Sequence, residues 1–591
     1  MKKKSTIILI VALVLVALGS LMAWGTQTDG GNVRIVDVQF MGSNGVEMNG
    51  LLYIPSTATS ETPAPGVLAI HGYINSNETQ DGFAIEFARR GFVVLAIDQP
   101  GHGYSDPPAF ANGFGGIDGL LYLRSLDFVD PANIGLEGHS MGGWASVVAA
   151  GVLPDMYTSM VLEGSSTGTF GGGDGTATWP RNLALVFSQY DEFSLLMWGS
   201  PTGAGIVDTA KLQTLFNTTE TVRVGEVYGS IEDGTARVLY QPAITHPMDH
   251  ISTEAIGYAV DWFNRTLTGG NGLDASNQIW YWKEIGTLLA LIGLILSFFP
   301  MGSLLLGSAF FKPLEEPMPE LKPLKGWGWW VGALITIAIP ALTFFKFNNM
   351  LGLTWNANAW FSQNITTGIL FWAIGNAVIS LILFLLWHFI SNRKEGATGD
   401  NYGLTWAKKL AWGKIGKSFL LALCIAGFAY LLLAVAHYFF NIDFRFWIVA
   451  LKPLSPLQFR IFLCYLVPFA IYFLVVATVL HGEMVKLGKD GKPLAGWKSM
   501  LIDMALMITG IVILLLVQYI PLFAGGTLGG SEAPESLLDI VAIQFVPILA
   551  IVGLVSNYFY RKTGHIYVGA FLNAIFVTWY IVAGQAIHFA F

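Results

Sequence analysis

Cysteine is almost absent from this chain. Cys424 and Cys464 are the only two among 591 residues, and both lie in apolar stretches. The N-terminal half therefore has no disulfide framework, and the redox compartment stays open. No Cys/His cluster has the spacing of a zinc site. Charge is scarce too: 12% of residues are Asp, Glu, Lys or Arg, and the mean hydropathy is +0.54. Such a chain is too apolar to be wholly soluble and too long for one domain. Basic residues are rarest in 25–279, which holds 9 Lys/Arg against 27 Asp/Glu, a net charge of −18. The remainder holds 23 against 13, a net charge of +10. An acidic block of that size repels phosphate backbones, so no nucleic-acid partner is expected.

Long hydrophobic runs are what the chain has in excess. Lys2, Lys3 and Lys4 precede an uncharged run of 18 residues, 7–24, about long enough to span a bilayer. A cleavable signal peptide would want a shorter apolar core and a small-x-small site, which Leu21-Met22-Ala23-Trp24-Gly25 supplies poorly. An uncleaved anchor over 1–26 is the preferred reading, and under both readings the next domain is exported. Eight more apolar runs follow, near 285–311, 327–345, 365–390, 418–438, 461–480, 504–523, 540–559 and 566–591. With the first helix running inside to outside, the inner loops and N-terminus carry 18 Lys/Arg and the outer loops and flanks 5. The positive-inside rule then predicts a multi-pass cell-membrane protein with nine helices: block 27–267 outside, a linker at 268–279, and a polytopic region at 280–591. The lipid bilayer is thus one expected partner. Asn376, Gln518, Gln544, Asn573 and Gln585 fall inside apolar runs and read as interhelical hydrogen-bond groups, with a transport pathway as the alternative. No acidic or basic residue is expected mid-membrane.

Between 33 and 267 short apolar segments alternate with helical ones. Strands are expected at 33–40, 46–54, 66–70, 92–97, 134–136, 159–162, 183–187 and 236–243, the first two as an antiparallel pair. Helices are expected at 81–90, 117–126 and 252–267, and a hairpin at 222–240. Continuous apolar strands interleaved with helices imply an α/β fold, a mostly parallel sheet covered on both faces. Its centre is Ile134-Gly135-Leu136-Glu137-Gly138-His139-Ser140-Met141-Gly142-Gly143-Trp144-Ala145. With 67 glycines in the chain, a Gly-x-Ser-x-Gly match is cheap by chance. The strand, turn and small-residue helix around it are what a nucleophile elbow requires, with Ser140 as nucleophile.

Two further motifs flank it in order: His71-Gly72-Tyr73 after the third strand, and Asp98-Gln99-Pro100-Gly101-His102-Gly103-Tyr104-Ser105 after the fourth. With the elbow they make 33–267 resemble the α/β-hydrolase superfamily. The resemblance implies a serine hydrolase whose oxyanion is held by the main-chain N–H groups of Tyr73 and Met141. The family order of serine, acid, histidine points to Asp191 as acid, with Glu192 its neighbour to exclude, and to His246 as base, with His250 the alternative. His71 is expected to orient its loop, and His102 and His139 to line the pocket rim. The loop at 164–177 and the insert between acid and histidine would set specificity. The implied chemistry is carboxylic-ester hydrolysis through an acyl-enzyme, with neither metal nor organic cofactor, on a small-molecule or lipid-like ester. Thioesters, amides and peptides use the same constellation. In the rival reading the helices are a transporter or assembly platform and the hydrolase-like domain regulates it.

Overall fold

The computed structural model describes residues 2–351, 356–529 and 533–591. The N-terminal part is built on β1 (Val33–Met41), β2 (Glu47–Pro55), β3 (Ala64–Ile70), β4 (Val93–Ile97), β5 (Val129–His139), β6 (Ser159–Glu163), β7 (Leu183–Val186) and β8 (Arg237–Tyr240). They form one sheet in the order β1-β2-β4-β3-β5-β6-β7-β8. β2 pairs antiparallel with β1 and β4, and every pairing from β4 to β8 is parallel.

Strand alternation explains why these segments are apolar throughout. Leu68, Ile70, Ile134 and Leu136 meet the helices Gly116–Arg124 and Met141–Val152 on one face. Val67, Ala69, Val161 and Ala184 meet Asp81–Arg89 and Thr253–Thr266 on the other. Both faces are dry, so neither can be polar. This is the expected α/β-hydrolase fold. Two local expectations fail. The last strand stops at Tyr240 rather than 243, because Pro242 has no N–H to continue the ladder. The expected hairpin reduces to one isolated bridge, Tyr228 to Arg237.

Among the described residues, nine helices are long and apolar enough to cross a membrane, one for each run in the sequence. The first, Lys2–Gln27, lies against Tyr281–Leu306 through small residues. A Cβ on Gly286 would sit 2.7 Å from the Gly19 carbonyl oxygen, and one on Gly293 2.7 Å from that of Ala12. Such backbone approach is how helices associate where water gives no drive. Asn376, Gln544 and Asn573 hydrogen-bond to neighbouring helices, at 3.1 Å to Thr343, 2.8 Å to Tyr580 and 3.1 Å to the Val552 carbonyl.

The helices overrun their apolar cores, and two acidic residues fall in the added turns. Gly496–Gly525 takes in Asp503, and Ala533–Thr563 takes in Asp539, both buried. Asp503 is tied to Asn557 at 2.7 Å and lies 3.7 Å from His481 in the π-turn Val479–Glu483. The last run also ends early. Its helix is Tyr567–Gly584, and the following residues leave it for the sheet domain, where Ile587 exchanges main-chain hydrogen bonds of 2.7 Å with Gly101 and Ala109.

Candidate active site

Ser140 stands between β5 and the helix Met141–Val152 at φ 55°, ψ −118°. A serine holds such a left-handed backbone only when its surroundings over-determine it. They do so here. Its N–H donates to the Glu163 carbonyl at 2.8 Å, and its own carbonyl accepts the Ser165 hydroxyl at 2.7 Å. A Cβ at Gly138 would overlap the Gly142 carbonyl, and one at Gly142 the Ile70 carbonyl, so the turn closes only with glycine at both places.

The loop after β3 comes to the same point. A Cβ on Gly72 would lie 3.1 Å from Cβ of Ser140. Among the described residues, the main-chain N–H groups of Tyr73 and Met141 have no protein acceptor. His71 is fully buried, donates from Nδ1 to the Gly72 carbonyl at 2.6 Å and accepts the Gln99 N–H at 3.1 Å. It ties the first loop to the next. Asp98 secures that second loop by accepting the N–H groups of Asn77 and Tyr104 at 2.8 and 2.9 Å.

The loops after β7 and β8 bring Asp191 to His246. The carboxylate lies 2.8 Å from Nδ1 of the imidazole, both side chains are buried, and the second carboxylate oxygen accepts the Phe193 N–H at 2.7 Å. Glu192 faces elsewhere: it accepts the main-chain N–H of His246 at 2.8 Å and the Tyr519 hydroxyl at 2.9 Å. His250, in the same 3-10 turn His246–Ile251, has no hydrogen-bond partner for either ring nitrogen among the described residues and packs against Phe83 and His139. Burial lowers His246 to about 4, so its ring is neutral at pH 7. Burial, and after it the Asp249 charge, push Asp191 up, while the Phe193 N–H opposes the shift. Burial and then Asp191 raise Glu192 to about 8.

His139 and His102 are not rim residues. His139 is 2% exposed, 4.5 Å from the His246 ring and 4.0 Å from that of His250. Odd positions of β5 face the helix Thr253–Thr266, as Gly135 does against Phe263, so the residue before Ser140 is driven inward beneath the 246–251 turn. His102 is 1% exposed, with Nδ1 on the Pro100 carbonyl at 3.1 Å and its ring beside His71 and Tyr73. One ligand atom each from His139, His246 and Asp249 lie within 4.8 Å of one another.

Sequence reasoning missed a second ring of residues, contributed by the helical region. The Tyr73 hydroxyl bonds Nε2 of His588 at 2.8 Å. Glu78 pairs with Lys452 at 2.7 Å, and Thr79 accepts from Arg445 at 3.0 Å. Tyr104 donates to the Pro453 carbonyl at 3.0 Å, and Gln458 donates to that of Gly103 at 3.0 Å. Trp447 donates to the Pro247 carbonyl at 2.7 Å. Burial alone would raise Glu78, yet Lys452 and Arg445 hold its carboxyl well below the usual carboxylate range. The available signal was two cations, Arg445 and Lys452, set between apolar runs and facing an acidic domain.

Residues 65–193 match the model of a family described as having the alpha/beta hydrolase fold. Among curated proteins, the 2-hydroxy-6-oxononadienedioate/2-hydroxy-6-oxononatrienedioate hydrolase of Cupriavidus pinatubonensis is 36% identical over 78 residues, covering 13% of this chain and 27% of that protein. Protein usf of Aquifex pyrophilus is 28% identical over 139 residues, 20% of this chain and 56% of its own. The chain thus spans between about a quarter and a little over half of these relatives. Among solved structures, the Pyrococcus furiosus esterase Pf2001 aligns at 15% identity and a TM-score of 0.30, over 41% of this chain and 96% of that one. Through its strands, elbow and acid loop, the segment 65–193 of this chain has the alpha/beta hydrolase fold.

Proposed function

We propose that the protein is a membrane-bound serine hydrolase of carboxylic esters, with its sheet domain on the extracytoplasmic side. The observation that carries this reading is the buried Asp191–His246 pair at 2.8 Å, set beside the strained elbow that carries Ser140. In the first half-reaction Oγ of Ser140 attacks the acyl carbon and its proton passes to Nε2 of His246, while Nδ1–H stays on Asp191. The oxyanion that forms lies before the free N–H groups of Tyr73 and Met141. Collapse expels the alcohol, which takes the proton from His246 and leaves an acyl-serine. Water then attacks that ester, giving its proton to His246, and the acid departs as Ser140 is restored. No step calls for a metal or organic cofactor. The curated relative from Cupriavidus pinatubonensis is itself a hydrolase, which supports hydrolysis in general.

A fluorophosphonate probe tests the nucleophile. The intact protein should label, and Ser140→Ala should lose all labelling at an unchanged thermal midpoint. Undiminished labelling of that variant would remove Ser140 from the mechanism.

The loop charge asymmetry supports the outward orientation. Protease added to intact cells should cut near Gly269 to Gly272, four exposed glycine-rich positions between the sheet domain and the second helix. Protection until the membrane is opened would invert the topology.

A further inference from the structure

Of the loops at the carboxyl ends of the strands, four are bonded to the helical region. The loop after β3 is held at Tyr73, Glu78 and Thr79 by His588, Lys452 and Arg445. The loop after β4 is held at Gly101, Gly103 and Ala109 by Ile587 and Gln458. The loop after β7 is held at Glu192 by Tyr519, and Tyr190 stacks edge-on against Phe523 at 5.2 Å. The loop after β8 is held at Pro247 by Trp447. These loops carry the oxyanion N–H of Tyr73, the acid Asp191 and the base His246. Loops are ordinarily the most mobile part of such a sheet, and catalysis needs their groups within a fraction of an ångström of one geometry.

We infer that the helical region is a working part of the active site, a rigid frame that fixes the catalytic loops, with His588, Tyr519 and Trp447 as positioning residues. The inference rests on the ester-hydrolase reading. Each of the three acts through one hydrogen bond and touches no reacting atom. Tyr519 holds Glu192, which in turn holds the main chain of His246 at 2.8 Å. Trp447 holds the residue after His246. His588 holds the side chain of the residue whose N–H meets the oxyanion. Membrane anchoring alone accounts for none of these bonds, since two paired helices already bracket the sheet domain.

The test uses the full chain in detergent with 4-nitrophenyl acetate. Tyr519→Phe and Trp447→Phe each delete one bond, and His588→Ala deletes the Tyr73 bond together with the one its Nδ1 accepts from the Asn364 N–H at 3.3 Å. Each is expected to lower kcat about ten- to hundredfold, with KM and the thermal midpoint unchanged. His588→Gln, which keeps a polar group at the same reach, should recover most of the loss. If all three variants stay within twofold of the parent kcat, the inference is overturned. It is equally overturned if kcat falls only in step with the thermal midpoint, which would assign the bonds to folding. Ser140→Ala separates the two readings: turnover surviving in that variant rejects the catalytic assignment itself, whatever the positioning variants do.

Discussion

Replacing His246 by alanine should lower kcat by about 10⁴- to 10⁶-fold, because an unassisted serine hydroxyl is almost wholly protonated at neutral pH. His250→Ala should cost about tenfold or less, since its ring reaches neither Asp191 nor any other polar partner. Ester turnover by the two variants is the measurement, and collapse in His250→Ala with near-normal His246→Ala would exchange their roles. The pH profile gives a second check on the same ring. Only the neutral imidazole can accept the serine proton, and burial lowers His246 to about 4. A lowered pKa keeps the base neutral further into acid. The acid limb of kcat/KM should therefore fall near pH 4, not near 6.5. A limb at 6.5 would mean that water reaches the ring.

Lys452→Met should destabilise the protein by about 3–5 kcal/mol, the usual cost of stranding one member of a buried ion pair. Glu78 and Lys452 are 3% and 2% exposed, and Glu78 would keep only the Ser76 hydroxyl at 2.7 Å and the more distant Arg445 charge. The double variant Glu78→Met/Lys452→Met removes both charges and should regain most of the loss. Thermal unfolding in detergent reads both, and an unchanged midpoint in Lys452→Met would show that the pair is not buried as described. The same pair sets a pH dependence. Because the folded-state pKa of Glu78 lies below its unfolded value, its contribution is present above the ordinary carboxylate range and is lost progressively as the pH falls from that range through the lowered folded-state value.

What was legible in the sequence was local. A strand buried on both faces is a continuous apolar run, and a turn in which two backbones nearly touch demands glycine, so β3, β5 and the elbow could be read from their own residues. The order of motifs points to Asp191 and His246, and only the fold brings the two side chains together. The rest depends on separation. Lys452 meets Glu78 across 374 residues and Arg445 meets Thr79 across 366, and no local pattern encodes such contacts. The misplacement of His139 has the same origin: its identity suits a pocket rim, and only the position of the last helix turns it inward. Hydropathy located the nine helices but not their ends, because a residue such as Asp503 is accommodated inside a helix only where Asn557 of a neighbouring helix bonds it.

The junction also fixes an order in time. Glu78 is synthesised 374 residues before Lys452, an interval of roughly 20–75 s at about 5–20 residues per second. Once Leu267 has been made, and until Lys452 follows, the sheet domain is complete with Glu78 lacking its cation and Ile74 lacking the helices that bury it. Its four framed loops have nothing to lean on until residues 443–458 and 519–523 are inserted and the final turn around Ile587 is made. A ribosome stalled after Leu267 and before Ile587 would therefore leave a folded sheet whose four loops lack part of their frame.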